Sequence, residues 1–301
     1  MEMAKASYSD ESMENKFSGF VERSRLISEV DKRSRFWGGV ASTDTEAHVC
    51  QEKDGTAVFV FRGTERPACD DMKSFLRDTA TDGCMVLRPV KLYDGSRMAQ
   101  PPAYDGARWE RPAWVSRTEI QAHQGFQLAL RDVTATSLRK ENLQTVFEDM
   151  TGIKARQVQK VVCVGHSLGG GIATMCAMWC REIAFPHAHI TCVTLGSPRV
   201  GNREFARYFN TRVANKSYRI VNLKDPVPCF PHQFAGYKHV DGAIYLTRDQ
   251  MGHIVCQWGC IRPTKLRPTL WDFIACAYRG MADHKASNYV NSFRQLLHDQ
   301  W

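Results

Sequence analysis

The sequence predicts an α/β fold with a mostly parallel central sheet and helices on both faces. Two observations carry that expectation. Residues 161–164 form a short, continuous apolar run, the pattern of a strand whose two faces are both covered in a parallel sheet. The run passes through Gly165-His166-Ser167-Leu168-Gly169 into a stretch that reads as a helix up to Trp179. In addition, β and α segments alternate along most of the 301 residues, the order from which parallel sheets are built.

Taken in order, residues 1–45 read as a charged leader and a helix over 17–30, with Phe17, Phe20, Val21 and Ile27 toward one side. Residues 46–301 read as one domain, because a chain that is 43% hydrophobic can bury a single large core. Two β runs, 47–51 and 56–61, meet across Lys53-Asp54-Gly55, a hairpin signal, and the second leads into Arg62-Gly63-Thr64-Glu65. Residues 69–83 are polar around Phe75 and Leu76. Residues 88–118 are rich in proline, glycine and aromatic side chains without a period, so a long irregular insertion is expected there.

Helical spacing returns over 126–150, with Leu130, Val133, Leu138, Val146 and Phe147 at buried positions. Beyond the Gly-x-Ser-x-Gly turn, 190–195 is a further buried β run closed by Gly196-Ser197-Pro198; a short helix over 202–209 and strands over 218–223 and 243–246 follow. Proline cannot continue a ladder, so Lys224-Asp225-Pro226-Val227-Pro228 puts Asp225 in the loop past a strand's carboxyl end. A last helix over 285–298 places Tyr289, Phe293, Leu296 and Leu297 on one face, with His284 just ahead of it. There is no internal repeat.

A serine forced into a sharp strand-to-helix turn projects its hydroxyl outward, and Gly165 and Gly169 leave the room for strand and helix to pack that closely. Leu168 would open the helix, so its unpaired backbone N–H, aided by the helix dipole, points where an oxyanion forms. Serine becomes a nucleophile when a histidine takes its proton and a carboxylate holds that histidine. Ser167, Asp225 and His284 occur in the order serine, acid, histidine, each at a strand end or beside a helix start. Spacing leaves rivals open, since His239 and His253 also follow Asp225, and Asp241 is a second candidate acid.

Composition narrows the classes. A net charge of +8 permits attraction to anionic lipid or nucleic acid, but the cations are scattered among acids and no nucleic-acid module is recognisable. Eleven cysteines, an odd number, fall largely at apolar positions such as Cys163, Cys176, Cys180 and Cys192 and read as reduced core thiols. His253, Cys256 and Cys260 lack a fourth ligand at a zinc-like spacing, so no metal is expected. The start, 1–16, has no signal-peptide core and no run is long enough to span a membrane, which, with the odd cysteine count, favours a cytoplasmic location.

The chain resembles the class 3, fungal-type lipases of the α/β-hydrolase fold. The resemblance rests on Val58-Phe-Val-Phe-Arg-Gly-Thr64, His123-Gln-Gly-Phe126, Gly165-His-Ser-Leu-Gly-Gly170, Leu195-Gly-Ser-Pro-Arg-Val-Gly-Asn202, Val221-Asn-Leu-Lys-Asp-Pro-Val-Pro228, Tyr237-Lys-His239 and Asp283-His284. These run in family order from about residue 47 to the end. The resemblance implies Ser167 as nucleophile, Asp225 as orienting acid and His284 as base, with Thr64 and Leu168 supplying oxyanion N–H groups. It implies cleavage of carboxylic esters of glycerolipids without a cofactor, on an acyl ester or lipid substrate; the insertion itself, with Tyr93, Tyr104, Trp109 and Trp114 among Arg97, Arg108, Arg111 and Arg117, is a mixture suited to peripheral contact with a lipid interface. A phospholipase A1, an esterase for small or aromatic acyl groups and a catalytically silent binding protein are the alternatives. His123, His166 and His239 match family positions that look structural, Arg199 is expected to brace its loop, and Met175 and Met178 to be core. The family's short lid helix with its tryptophan is not evident between Thr64 and His123, where the insertion stands instead.

Overall fold

An eight-stranded sheet runs through the molecule. The structure is a computed structural model that describes residues 1–7, 13–17, 19–28, 45–63, 86–94, 97–99, 119–134, 141–222, 225–249, 254–258 and 281–298. Thr64, residues 69–83, Leu138, His253, Cys260 and most of 88–118 lie outside them.

The strands of this sheet are β1 (Val21–Ser28), β2 (Glu46–Glu52), β3 (Ala57–Phe61), β8 (Lys160–His166), β9 (His189–Leu195), β11 (Lys216–Asn222), β13 (Ala243–Arg248) and β14 (Ile254–Trp258). The pairings from β3 through β8, β9 and β11 to β13 are parallel, while β1, β2 and β14 pair antiparallel at the flanks. Both faces of the parallel centre are covered. Along β3, Ala57, Phe59 and Phe61 enter one core with Val161, Cys163 and Trp179, and Val58 and Val60 enter a second with Val164, Leu195, Ile220 and Tyr289. This is why residues 57–61 of β3 and 161–164 of β8 read as unbroken apolar runs. Each large side chain so buried contributes about 1.5–3 kcal/mol relative to exposure.

Among the described residues the α-helices are α1 (Glu2–Ala6), α2 (Met13–Lys16), α3 (Gln124–Thr134), α4 (Leu143–Thr151), α5 (Leu168–Trp179), α6 (Arg203–Tyr208), α7 (Met281–His284) and α8 (Ala286–His298). Asn142 starts α4: its side chain accepts from Thr145 N at 2.9 Å, and the Thr145 hydroxyl accepts from the Asn142 amide at 2.8 Å. Gly152 ends it at φ 74°. Met175 and Met178 on α5 are fully buried core residues, as the sequence suggests.

The expected helix over 17–30 is not there. Its place is taken by β1, paired antiparallel with β2 from Val21 to Ser28. A strand at the end of a sheet can carry charges along its length, which blunts its outer edge. Glu22, Arg23 and Arg25 blurred the two-residue period in this way. Arg25 reaches Glu141 just ahead of α4 at 3.0 Å, and Phe20 points out to solvent rather than packing. The expected irregular insertion also opens with regular structure: β4 (Leu87–Pro89) joins β7 (Gln121–His123), β10 (Gly201–Asn202) and β12 (Tyr237–Lys238) in a second sheet, and β5 (Leu92–Asp94) pairs with β6 (Arg97–Ala99). Strands of two or three residues leave no periodic trace. On α8, Leu297 is exposed instead of buried.

Candidate active site

The turn from β8 into α5 has the form anticipated from its glycines. Ser167 sits at φ 57°, ψ −128° and is the one non-glycine residue with positive φ among the described residues. A Cβ on Gly165 would lie 2.0 Å from Gly169 O, and one on Gly169 would lie 2.3 Å from Phe61 O. No other residue leaves that space. The Ser167 amide bonds Leu195 O at 2.9 Å, which ties the turn to β9. Leu168 is the first residue of α5, so the helix itself leaves its N–H without a partner.

Three residues expected to act together meet here. His284 Nε2 is 2.8 Å from Ser167 Oγ, and His284 Nδ1 is 2.8 Å from Asp225 Oδ2. Asp225 follows β11, and its side chain is wholly buried. A buried carboxylate must be hydrogen-bonded to remain an anion. Oδ1 accepts from Val227 N at 2.9 Å, and Oδ2 accepts from the Tyr289 hydroxyl at 2.5 Å as well as from His284. Tyr289 in turn accepts from Asn222 N at 3.1 Å, and burial with the adjacent Asp225 charge pushes its phenol well up. With Nδ1–H given to Asp225, the Nε2 lone pair of His284 is left to receive the serine proton.

The rivals fall elsewhere. His239 bonds Pro228 O through Nε2 at 2.7 Å, and burial keeps its pKa well below the ordinary range. Asp241 is exposed in the turn before β13. His123 accepts from Gly125 N at 3.1 Å, stacks on Phe126, and is lowered to about 4 by burial. Arg199 donates to Pro231 O at 2.9 Å and to Cys229 O, bracing the loop beyond Asp225. Thr64 and His253 lie outside the described residues.

Two participants escaped sequence reasoning. Tyr289 was read only as a buried helix position, although it lies five residues after His284. Gly196 has φ 56°, and a Cβ there would come within 2.5 Å of Asp225 Oδ2, 3.0 Å of Tyr289 OH and 3.1 Å of His284 Nδ1. Only the folded chain brings those three groups around it.

Beneath the turn, the sulfurs of Cys163, Cys176 and Cys180 lie within 4.8 Å of one another, but burial pushes all three thiols well up, which keeps them protonated and apolar in character. Of the residues considered for zinc, Cys256 stands in β14, and His253 and Cys260 lie outside the described residues.

Residues 58–235 match the family model described as Lipase (class 3). The chain belongs to the class 3 lipase family. Among curated proteins it is similar to the Secreted mono- and diacylglycerol lipase 1 of Fusarium solani, with 42% identity over 124 residues that cover 41% of this chain and 34% of that one. It is also similar to Phospholipase A1-II 5 of Oryza sativa subsp. japonica, with 35% identity over 89 residues, 27% of this chain and 18% of that one. The chain thus spans well under half the length of these relatives. A solved Rhizomucor miehei lipase propeptide complex superposes with a TM-score of 0.54 at 21% identity, covering 94% of this chain and 76% of that one, which shows the α/β-hydrolase fold of this class 3 lipase.

The relatives correct one expectation. A cytoplasmic location was favoured, yet the Fusarium relative is named as secreted. The parity of a cysteine count says nothing about compartment when Cys50, Cys163, Cys176, Cys180 and Cys192 are all buried and serve as core residues. Among the described residues no helix is long and apolar enough to cross a membrane.

Proposed function

We propose that this class 3 lipase is an extracellular serine hydrolase that cleaves carboxylic esters of glycerolipids through an acyl-enzyme on Ser167. The observation that carries the reading is the continuous hydrogen-bond chain from Ser167 Oγ through His284 to the buried Asp225. His284 takes the serine proton as Oγ attacks the ester carbonyl, Asp225 stabilises the imidazolium, and the proton then passes to the departing alcohol. Water, deprotonated by the same histidine, releases the acid. The Leu168 N–H at the start of α5 donates to the oxyanion, and Thr64 supplies the second donor on the strength of the family resemblance. The mono- and diacylglycerol lipase relative supports glycerolipid esters as substrates.

A second reading, phospholipase A1, is favoured by the Oryza relative. A panel of mono-, di- and triacylglycerols and phosphatidylcholines, read by the position of the released acid, separates the two. A fluorophosphonate probe tests the chemistry itself: failure to label Ser167 on the folded protein would make the chain a silent binding protein.

A further inference from the structure

His166, the residue before the serine, is buried, and its Nε2 lies 2.6 Å from the backbone carbonyl oxygen of His284. A carbonyl only accepts, so Nε2 carries the proton and the ring holds one fixed tautomer. The carbonyl it reaches is a special one. His284 closes α7, and the amides of Asn288 and Tyr289, in the first turn of the next helix, both bond Lys285 O, at 2.9 and 3.3 Å. The His284 carbonyl thus stands at a helix junction, where backbone acceptors need a partner from outside the helix. The two imidazoles also face each other, with ring centroids 4.7 Å apart and planes inclined by 33°, and the edge of Tyr289 closes the stack at 6.0 Å. Burial first, and then the neighbouring His284, lower the His166 pKa to about 3, so it is neutral wherever lipases of ordinary habitat would work.

We propose that His166 is a positioning residue that seats the catalytic base: its Nε2–H, given to the His284 carbonyl, holds the backbone of the α7–α8 junction. The inference rests on the Ser167–His284–Asp225 reading. Asp225 fixes the imidazole at Nδ1, but a ring tethered at one side-chain atom still swings with the backbone that carries it. The bond from His166 removes that second freedom. His166 belongs to the same turn as Ser167, so nucleophile and base are indexed to one rigid piece of backbone. A neutral ring face beside His284 is also compatible with the imidazolium formed on proton transfer, whereas a second cation there would oppose it.

The test uses the full chain and two variants. His166→Gln keeps a donor nitrogen at a reach close to that of Nε2, and His166→Phe keeps the ring and removes the donor. A chromogenic alkylphosphonate counts competent sites, and kcat and KM on a soluble p-nitrophenyl ester are expressed per counted site. The expected result is a kcat about 10- to 100-fold lower in His166→Phe, with KM within about twofold and most of kcat recovered in His166→Gln. Wild-type kcat per site in His166→Phe, or no recovery in His166→Gln, overturns the positioning role. Imidazole ¹⁵N spectra of the wild type give a readout that does not depend on variant folding: the Nε2–H tautomer is expected at His166, and an Nδ1–H tautomer refutes the bond. A wild type that neither hydrolyses esters nor labels at Ser167 sinks the relay itself, whereas an active wild type with an unaffected His166→Phe sinks only the positioning role.

Discussion

At the scale of single residues, the order serine, acid, histidine was legible in the chain, and its partners through space were not. Ser167→Ala and His284→Ala should each lower kcat on the order of 10⁶-fold, as in other hydrolases of this type, with the far-UV spectrum unchanged. By contrast His239→Ala should keep its ester turnover per folded molecule, because its imidazole is spent on Pro228 O; equal loss in both would show that the base was misassigned. Tyr289 gives a graded test. Tyr289→Phe removes a donor to a buried anion, which costs about 1.5–3 kcal/mol where the partner is charged. Equilibrium urea unfolding and kcat should both fall, and an unchanged pair of values would mean that the hydroxyl does not hold Asp225. Gly196→Ala should be worse than its one added methyl suggests, since the methyl meets Asp225, Tyr289 and His284 at once while the backbone stays at positive φ.

Among the elements, legibility followed length and burial. The strand over 56–61 was readable because it is apolar throughout after Thr56, as a strand covered on both faces can be, and those over 47–51, 190–195 and 218–223 because apolar residues still dominate them. The partner strand β1 was misread as a helix because one edge of it faces water and tolerates charge. Sheets built from β4, β7, β10 and β12 are held by pairing between distant segments and leave no local period. The α4 capping box was also overlooked, although Asn142 and Thr145 stand three apart, and Asn142→Ala should cost about 1 kcal/mol in thermal unfolding. The elbow helix makes another testable statement. Cys163, Cys176 and Cys180 should resist a thiol reagent in the native protein and react only after unfolding, while the exposed Cys229 reacts at once. Rapid native labelling of the first three would mean that α5 opens readily.

For the molecule as a whole, the buried neutral histidines set an acid limit. His166 and His123 are lowered to about 3 and about 4, chiefly by burial, from an ordinary value near 6.5. Between those values the unfolded chain binds protons that the native state refuses. The stabilisation they contribute is therefore complete above pH 6.5 and is lost progressively as pH falls toward 4 and then 3, by an amount on the order of several kcal/mol. Melting temperatures recorded from pH 8 to pH 4 should decline along that window, and a flat profile would contradict the neutral, buried assignment. The backbone at Ser167 sets a different limit. A side chain at φ 57°, ψ −128° is a strain that glycine does not feel. Replacing this serine with glycine should thus yield an inert molecule that outlasts the native one on heating. Durability and turnover pull in opposite directions at this position, and selection for shelf life alone would erase the proposed nucleophile.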